Sequence, residues 1–115
     1  MTIYELGAVV AERHLDAVAG EGARTTVTIR VGTPRPDPLS PNGDWCCPHQ
    51  IVGLGDEAVE ASFGVDSLQA LLLSVFGLRV KLAARAEEAG VSLDWLGMAD
   101  LGLAVVPEAV GVTEF

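Results

Sequence analysis

The chain has 115 residues, half of them hydrophobic and few aromatic, and its seven Lys and Arg face sixteen Asp and Glu for a net charge of −9. That length corresponds to a single domain, 1–115, able to bury about 65% of its unfolded surface without disulfide or metal staples. Cations are too few to displace counterions from phosphates, which argues against a nucleic-acid or anionic-membrane surface.

No run approaches the roughly 20 apolar residues that a bilayer span requires. The N-terminus lacks the basic-then-apolar order of a signal peptide. The expected location is therefore cytoplasmic, where Cys46 and Cys47 would stay reduced. The acidic residues are scattered, as on a solvated surface, and would also steer the chain toward a basic partner.

Residues 1–7 read as a frayed start or an extra edge strand. From Ala8 to Val18, AVVAERHLDAV alternates as a strand, with Glu12, His14 and Asp16 on one face and Arg13 and Leu15 on the other. Its Ala, Glu, Arg and Leu also permit a helix, but the tight turn Gly20–Gly22 leads into a clear strand, Arg24 to Val31, which favours a hairpin. On that second strand Thr25, Val27, Ile29 and Val31 share one face. Four prolines make Gly32 to Gly43 an extended surface loop.

Asp44 to Val52 reads as a third strand, with Trp45, Cys47, His49 and Ile51 on one side. Pro48 points to an edge position or a bulge. After the turn Gly53–Asp56, residues Glu57 to Val65 form a fourth strand carrying Val59, Ala61, Phe63 and Val65.

The segment Gly64–Gly90 is the one long helix. Asp66 is its N-cap and Gln69 completes a capping-box variant, while Gly90 ends it in a left-handed cap. Glu87 and Glu88 oppose the macrodipole, so some fraying is expected there. Gly77 costs roughly 1 kcal/mol relative to Ala and permits close backbone approach.

At about 100° per residue, Leu72, Phe76, Val80 and Ala83 fall on one face, the one expected to lie on the sheet. A second stripe, Leu68, Leu71, Val75, Leu78 and Leu82, lies about a quarter turn away. Ser67, Ser74, Lys81, Arg85 and Glu88 make the remaining polar strip. One sheet covers one face of a helix, so Leu71, Val75, Leu78 and Leu82 await a cover: either the C-terminal segment, or a protein partner or homodimer. The architecture that follows is α+β: a four-stranded antiparallel meander with one long helix on one face (ββββα), a core over about 8–103 and an irregular C-terminal segment. Val105–Val106 is a possible further edge strand, and 104–115 is the tail.

Chemistry is sparsely marked. Cys46-Cys47-Pro48-His49 lacks the second ligand pair of a structural zinc site. Cys47 and His49 share a face, but no nucleophile signature surrounds them, and buried thiols are the favoured reading. Glu12, His14 and Asp16 set an imidazole between carboxylates on a flat face, where acid–base chemistry would need a pocket. Gly53-x-Gly55 lacks the third glycine of a phosphate loop. No catalytic residue, metal ligand or cofactor is assigned.

The W-x-C-P strand (Trp45, Cys47, Pro48), the I-V-G-L-G turn (Ile51 to Gly55), G-V-D-S-L-Q-A-L-L-L (Gly64 to Leu73) and W-L-G (Trp95 to Gly97) together resemble a small bacterial domain family of unknown function, found mostly in actinobacteria. The resemblance covers about 9–103 and implies no activity; where it leads one to expect an aromatic after Cys-Pro, this chain has His49. Two functions follow as expectations. One is a non-enzymatic interaction module, immunity-like or accessory, binding one partner. The other is a small ligand-binding or enzymatic domain with a pocket between sheet and C-terminal segment, lined by Trp45, Cys47, His49 and Trp95.

Overall fold

Alternating β-branched residues, closed by a glycine turn, make the first hairpin. In the computed structural model, which describes residues 4–103, strand β1 (Val9–Ala19) pairs antiparallel with β2 (Arg24–Gly32), placing Leu15 opposite Val27 and Arg13 opposite Ile29. β3 is the two-residue Arg35–Pro36, within the segment expected to be loop throughout. β4 (Trp45–Val52) and β5 (Glu60–Gly64) follow, then helix α1 (Ser67–Ala89) and β6 (Val91–Asp94).

All pairings are antiparallel and make one six-stranded sheet, in the order β3-β4-β2-β1-β6 with β5 also on β4. His49 pairs with both Val31 and Glu60, and Cys46 with both Arg35 and Phe63, so β5 lies along one side of β4 and β2 with β3 along the other. The fold is α+β as expected, but the sheet exceeds four strands. β6 adds to the outer side of β1 through Val91–Asp94 directly after the helix cap, so the C-terminal segment opens with regular structure.

Pro48 is not at an edge. It sits in the interior strand β4, where the ladder to β2 ends at His49 and the ladder to β3 begins at Cys46, and this break accommodates the proline. Gly32 stands across the break, where any Cβ would run into the Pro48 ring and the Leu6 carbonyl. Residues 4–7 are accordingly neither frayed nor an added strand. They run over the outer face of the sheet, with Tyr4 edge-on to Phe63, the Tyr4 hydroxyl donating to Asp37 at 3.1 Å and Arg35 donating to the Glu5 carbonyl at 2.9 Å.

The core lies between the inner face of the sheet and α1. Leu15, Ala17, Val27, Ile29, Val31, Cys47 and Ile51 meet Ala70, Leu78 and Leu82 there, with Leu101 and Leu103 packed at its margin. The helix begins as its sequence predicts: Asp66 accepts from the Gln69 N–H at 2.8 Å, and the Gln69 side chain accepts from the Val65 N–H at 2.7 Å. It ends at Gly90, whose φ of 71° is left-handed. The 105–106 strand and the 104–115 tail lie outside the described residues.

The face that α1 turns to the sheet corrects the expectation. Its buried residues are Ala70, Ser74, Leu78, Leu82 and Ala86, an i, i+4 row, whereas Leu72, Phe76 and Val80 are exposed. Lys81 and Arg85, expected to face solvent, flank the buried row and reach β5. The helix is thus rotated so that the seam between its second apolar stripe (Leu78, Leu82) and its polar strip (Ser74), not the Leu72–Phe76–Val80 face, meets the sheet. By length and composition alone α1 also meets the requirement for a bilayer span, with a mean hydropathy of 1.4, contrary to the expectation drawn from uninterrupted apolar runs.

Candidate functional site

Two features stand out: a polar seam beneath α1 and an apolar ridge on top of it.

The seam begins at His49, which extends from β4 toward the helix and is 2% exposed. Its Nδ1 lies 2.9 Å from Ser74 Oγ, and its Nε2 lies 2.9 Å from Lys81 Nζ. The Ser74 hydroxyl donates to the Cys47 carbonyl at 2.6 Å. With its proton committed there, Ser74 accepts from His49 Nδ1–H, which leaves Nε2 as the acceptor of a Lys81 proton. Lys81 also contacts Glu60 at 2.6 Å, Arg85 approaches the same carboxylate at 3.6 Å, and Arg85 donates to the Asp56 carbonyl. Each member therefore has a partner, as a buried polar group requires.

Burial, followed by the nearby Lys81 ammonium, lowers the His49 pKa to about 4. The hydrogen bond from Lys81 holds Glu60 below its ordinary value. Burial raises the Cys47 thiol, against the lowering influence of the nearby Ser74 hydroxyl, and raises Cys46 against the pull of Arg35. A hydroxyl, an imidazole and an ammonium in line have the composition of a nucleophile relay. Here Ser74 is 0% exposed and its proton is held by a backbone carbonyl, so no acyl group reaches it. The seam is a fastener between helix and sheet.

Ser74, Lys81 and Arg85 stand in the sequence only as part of the helix's polar strip, and Glu60 carries no mark of its own. The available signal was His49 itself: an imidazole on an otherwise apolar strand face needs partners, and the helix offers Ser74 and Lys81 seven residues apart, on one side of its cylinder.

The ridge is Leu68, Leu72, Phe76 and Val80, a second i, i+4 row, with Leu73 beside it; these five side chains are 42–60% exposed. Ala83 and Ala84 extend it toward the C-terminus and are also exposed. From Ser67 to Ala86 the helix has no acidic residue, and Arg79 is the one exposed charge on this stretch. Among the described residues, the C-terminal segment packs along the flank of α1, not over the ridge. Leu101, Leu103 and Asp100 line a groove of roughly 350 Å³ with Arg79, Ala83 and Ala86. A second groove of roughly 240 Å³ lies between Ala11, Arg13 and Val31 of the sheet, Val75 and Leu78 of the helix, and Leu103.

Of the expected interaction stripe, Leu78 and Leu82 are fully buried against the sheet, and Leu71 and Val75 are half-buried beside them. The expected pocket residues do not converge. Cys47 and His49 lie under the helix and Trp45 begins β4, whereas Trp95 follows β6 with β1 and β2 between. Trp95 instead carries the Arg13 guanidinium on its ring at 3.8 Å, and Arg13 donates to the Leu101 and Gly102 carbonyls at 2.9 and 3.2 Å. This fixes a tight turn in which Trp95 and Met98 exchange backbone hydrogen bonds; Leu96 at its tip has a left-handed φ of 55° and is 75% exposed.

Glu12, His14 and Asp16 lie on the open outer face. His14 contacts Thr28 at 3.0 Å and Glu12 at 3.6 Å, Glu12 also accepts from Arg30, and Asp16 pairs with Arg24. Arg24 also joins Asp94, tying β6 to the hairpin. Among the described residues no three His, Cys, Asp or Glu side chains converge as metal ligands.

Compared with known proteins, residues 11–105 match the family model described as domain of unknown function (DUF6968). No curated protein and no solved structure matches the chain.

Proposed function

Starting from the fact that the chain belongs to the DUF6968 family, to which no activity is attached, we propose that it is a non-enzymatic interaction module, immunity-like or accessory, that binds one protein partner. The docking surface is the outer ridge of α1: Leu68, Leu72, Leu73, Phe76 and Val80. One observation carries the reading: beside the buried row that holds Leu78 and Leu82, α1 turns five further large apolar side chains, Leu68, Leu72, Leu73, Phe76 and Val80, to the outside. On ordinary side-chain areas those five residues expose on the order of 500 Å², the upper end of what a monomer tolerates without a use for it.

The groups that could do chemistry point the same way. His49, Ser74 and Cys47 are enclosed and mutually satisfied, so they support the helix and present nothing to a substrate. Position-specific photo-crosslinking tests the proposal. A benzoyl-phenylalanine at position 76 is expected to give a discrete adduct in the native host. That adduct should be lost with Leu72→Glu, and the same probe at Thr26 on the outer sheet face should give none. Failure to form an adduct at any of positions 72, 76 and 80 would sink it.

A further inference from the structure

Resting on that reading of the ridge, we infer that the partner seated on it is a second copy of this chain, joined antiparallel about Phe76 across a two-fold axis. The pattern is self-complementary. With Phe76 on the axis, a residue meets the one equally far on the other side, so Leu72 faces Val80 and Leu68 faces Ala84. A contact this long needs the shallow crossing of about 20°, in which the ridges of one helix seat in the grooves of the other. Ala83 and Ala84 are small enough for the helices to approach closely.

Charge favours a copy over a charged stranger. A net charge of −9 would draw the chain to a basic protein, yet the exposed side of α1 offers no acid between Ser67 and Ala86 for such a partner to meet. Its one exposed cation, Arg79, would lie over Leu73 of the second copy. There its aliphatic stem covers the leucine and its guanidinium reaches the rim. A surface that is apolar and nearly neutral inside a strongly acidic molecule matches another of the same kind. The area reaches the low end of specific interfaces: two fully covered ridges of on the order of 500 Å² each give roughly 1,000 Å², and the flanking alanines add to it.

The arrangement has an unusual salt signature. Two chains of −9 repel at long range while their contact is apolar, so added salt should tighten the pair, where an ion-paired complex would loosen. Sedimentation velocity of the full chain over a concentration series tests this directly. The expected mass is twice the 12.0 kDa of one chain, with a dissociation constant that falls as salt rises. Phe76→Glu should weaken association at least about 30-fold while far-UV circular dichroism stays put, and its denaturation midpoint should match that of the unsubstituted chain at concentrations where both are monomeric. Thr26→Glu on the outer sheet face should leave it unchanged.

In a second variant, Phe76→Cys should form an interchain disulfide on mild oxidation, since the axis brings the two thiols together, and Leu68→Cys should not. A monomer at all concentrations, or a dimer indifferent to Phe76→Glu, overturns the inference. A monomer whose position-76 photo-adduct contains a different protein overturns the homodimer alone and leaves the interaction reading standing. A monomer with no adduct removes both.

Discussion

The two i, i+4 rows of α1 invert the usual relation between hydrophobicity and burial. The inner row, Ala70, Ser74, Leu78, Leu82 and Ala86, mixes small and polar residues with two leucines. The outer row, Leu68, Leu72, Phe76 and Val80, is the more uniformly apolar, and among the described residues it is the exposed one. The difference lies in what each row can satisfy. The sheet presents the buried His49, and an imidazole sealed without a partner costs more than a leucine left in water. Turning Ser74 and Lys81 toward the sheet satisfies it, and Lys81 and Arg85 also reach the half-exposed Glu60. Small residues at 70, 74 and 86 also let the helix settle close, and at Gly77 an added Cβ would meet Ser62 Oγ at 3.6 Å. Polar pairing and shape, not apolar content, select the buried face.

The comparison can be broken first at its strongest point. Leu82→Ala should cost about 2–5 kcal/mol of folding free energy, the range for a fully buried leucine, while Leu72→Ala, compared at a concentration where the chain is monomeric, should stay within about 1 kcal/mol. Urea denaturation of the two variants side by side gives the answer, and equal losses would mean that the rows are wrongly assigned.

Acid should act on the seam next. The folded chain holds His49 neutral down to about pH 4, whereas the unfolded chain takes up the proton near pH 6.5. Between those values the unfolded state binds more protons, so stability falls as pH falls, by about 3 kcal/mol in all. The lowered Glu60 carboxyl adds a loss of the same sign at the acid end of that range. Urea titrations from pH 7 to pH 4 should show this slope, and His49→Gln should flatten it.

A smaller loss, about 1–3 kcal/mol, is expected for Ser74→Ala, which leaves the His49 Nδ1–H and the Cys47 carbonyl without their partner. Restoration of most of that loss by Thr at 74 would not follow from a simple cavity. Smallest, and of opposite sign, Gly77→Ala should stabilise by about 1 kcal/mol, since its Cβ makes ordinary contact and the helix gains propensity. A thermal melt that shifts down instead would show that the helix cannot give way at β5.

Local rules carried far in this chain. The hairpin, the helix caps and the alternation that sends Val27, Ile29 and Val31 inward were legible from period and turn residues, because each depends on neighbours in sequence. What stayed illegible depends on residues far apart. The orientation of α1 rests on His49 meeting Ser74 and Lys81, and hydrophobic periodicity alone selects the opposite face. β6 was hidden because four residues between glycines carry little signal until β1 supplies an open side. The interior place of Pro48 follows from a gap between β2 and β3 that pairing alone creates. At the candidate interface the apolar content of α1 was plain, but which of its residues face outward was not.

Cys46 and Cys47 are neighbours in sequence and inhabit opposite layers. Cys47 is sealed beneath α1, with its thiol 3.4 Å from the Gly32 carbonyl, and Cys46 is buried on the outer face, where Arg35, Asp37 and Tyr4 gather. The chain thus carries two native clocks for its own opening. Alkylation of Cys47 times the lifting of the helix, alkylation of Cys46 times the peeling of the N-terminal strap, and the ratio of the two rates says which layer opens first.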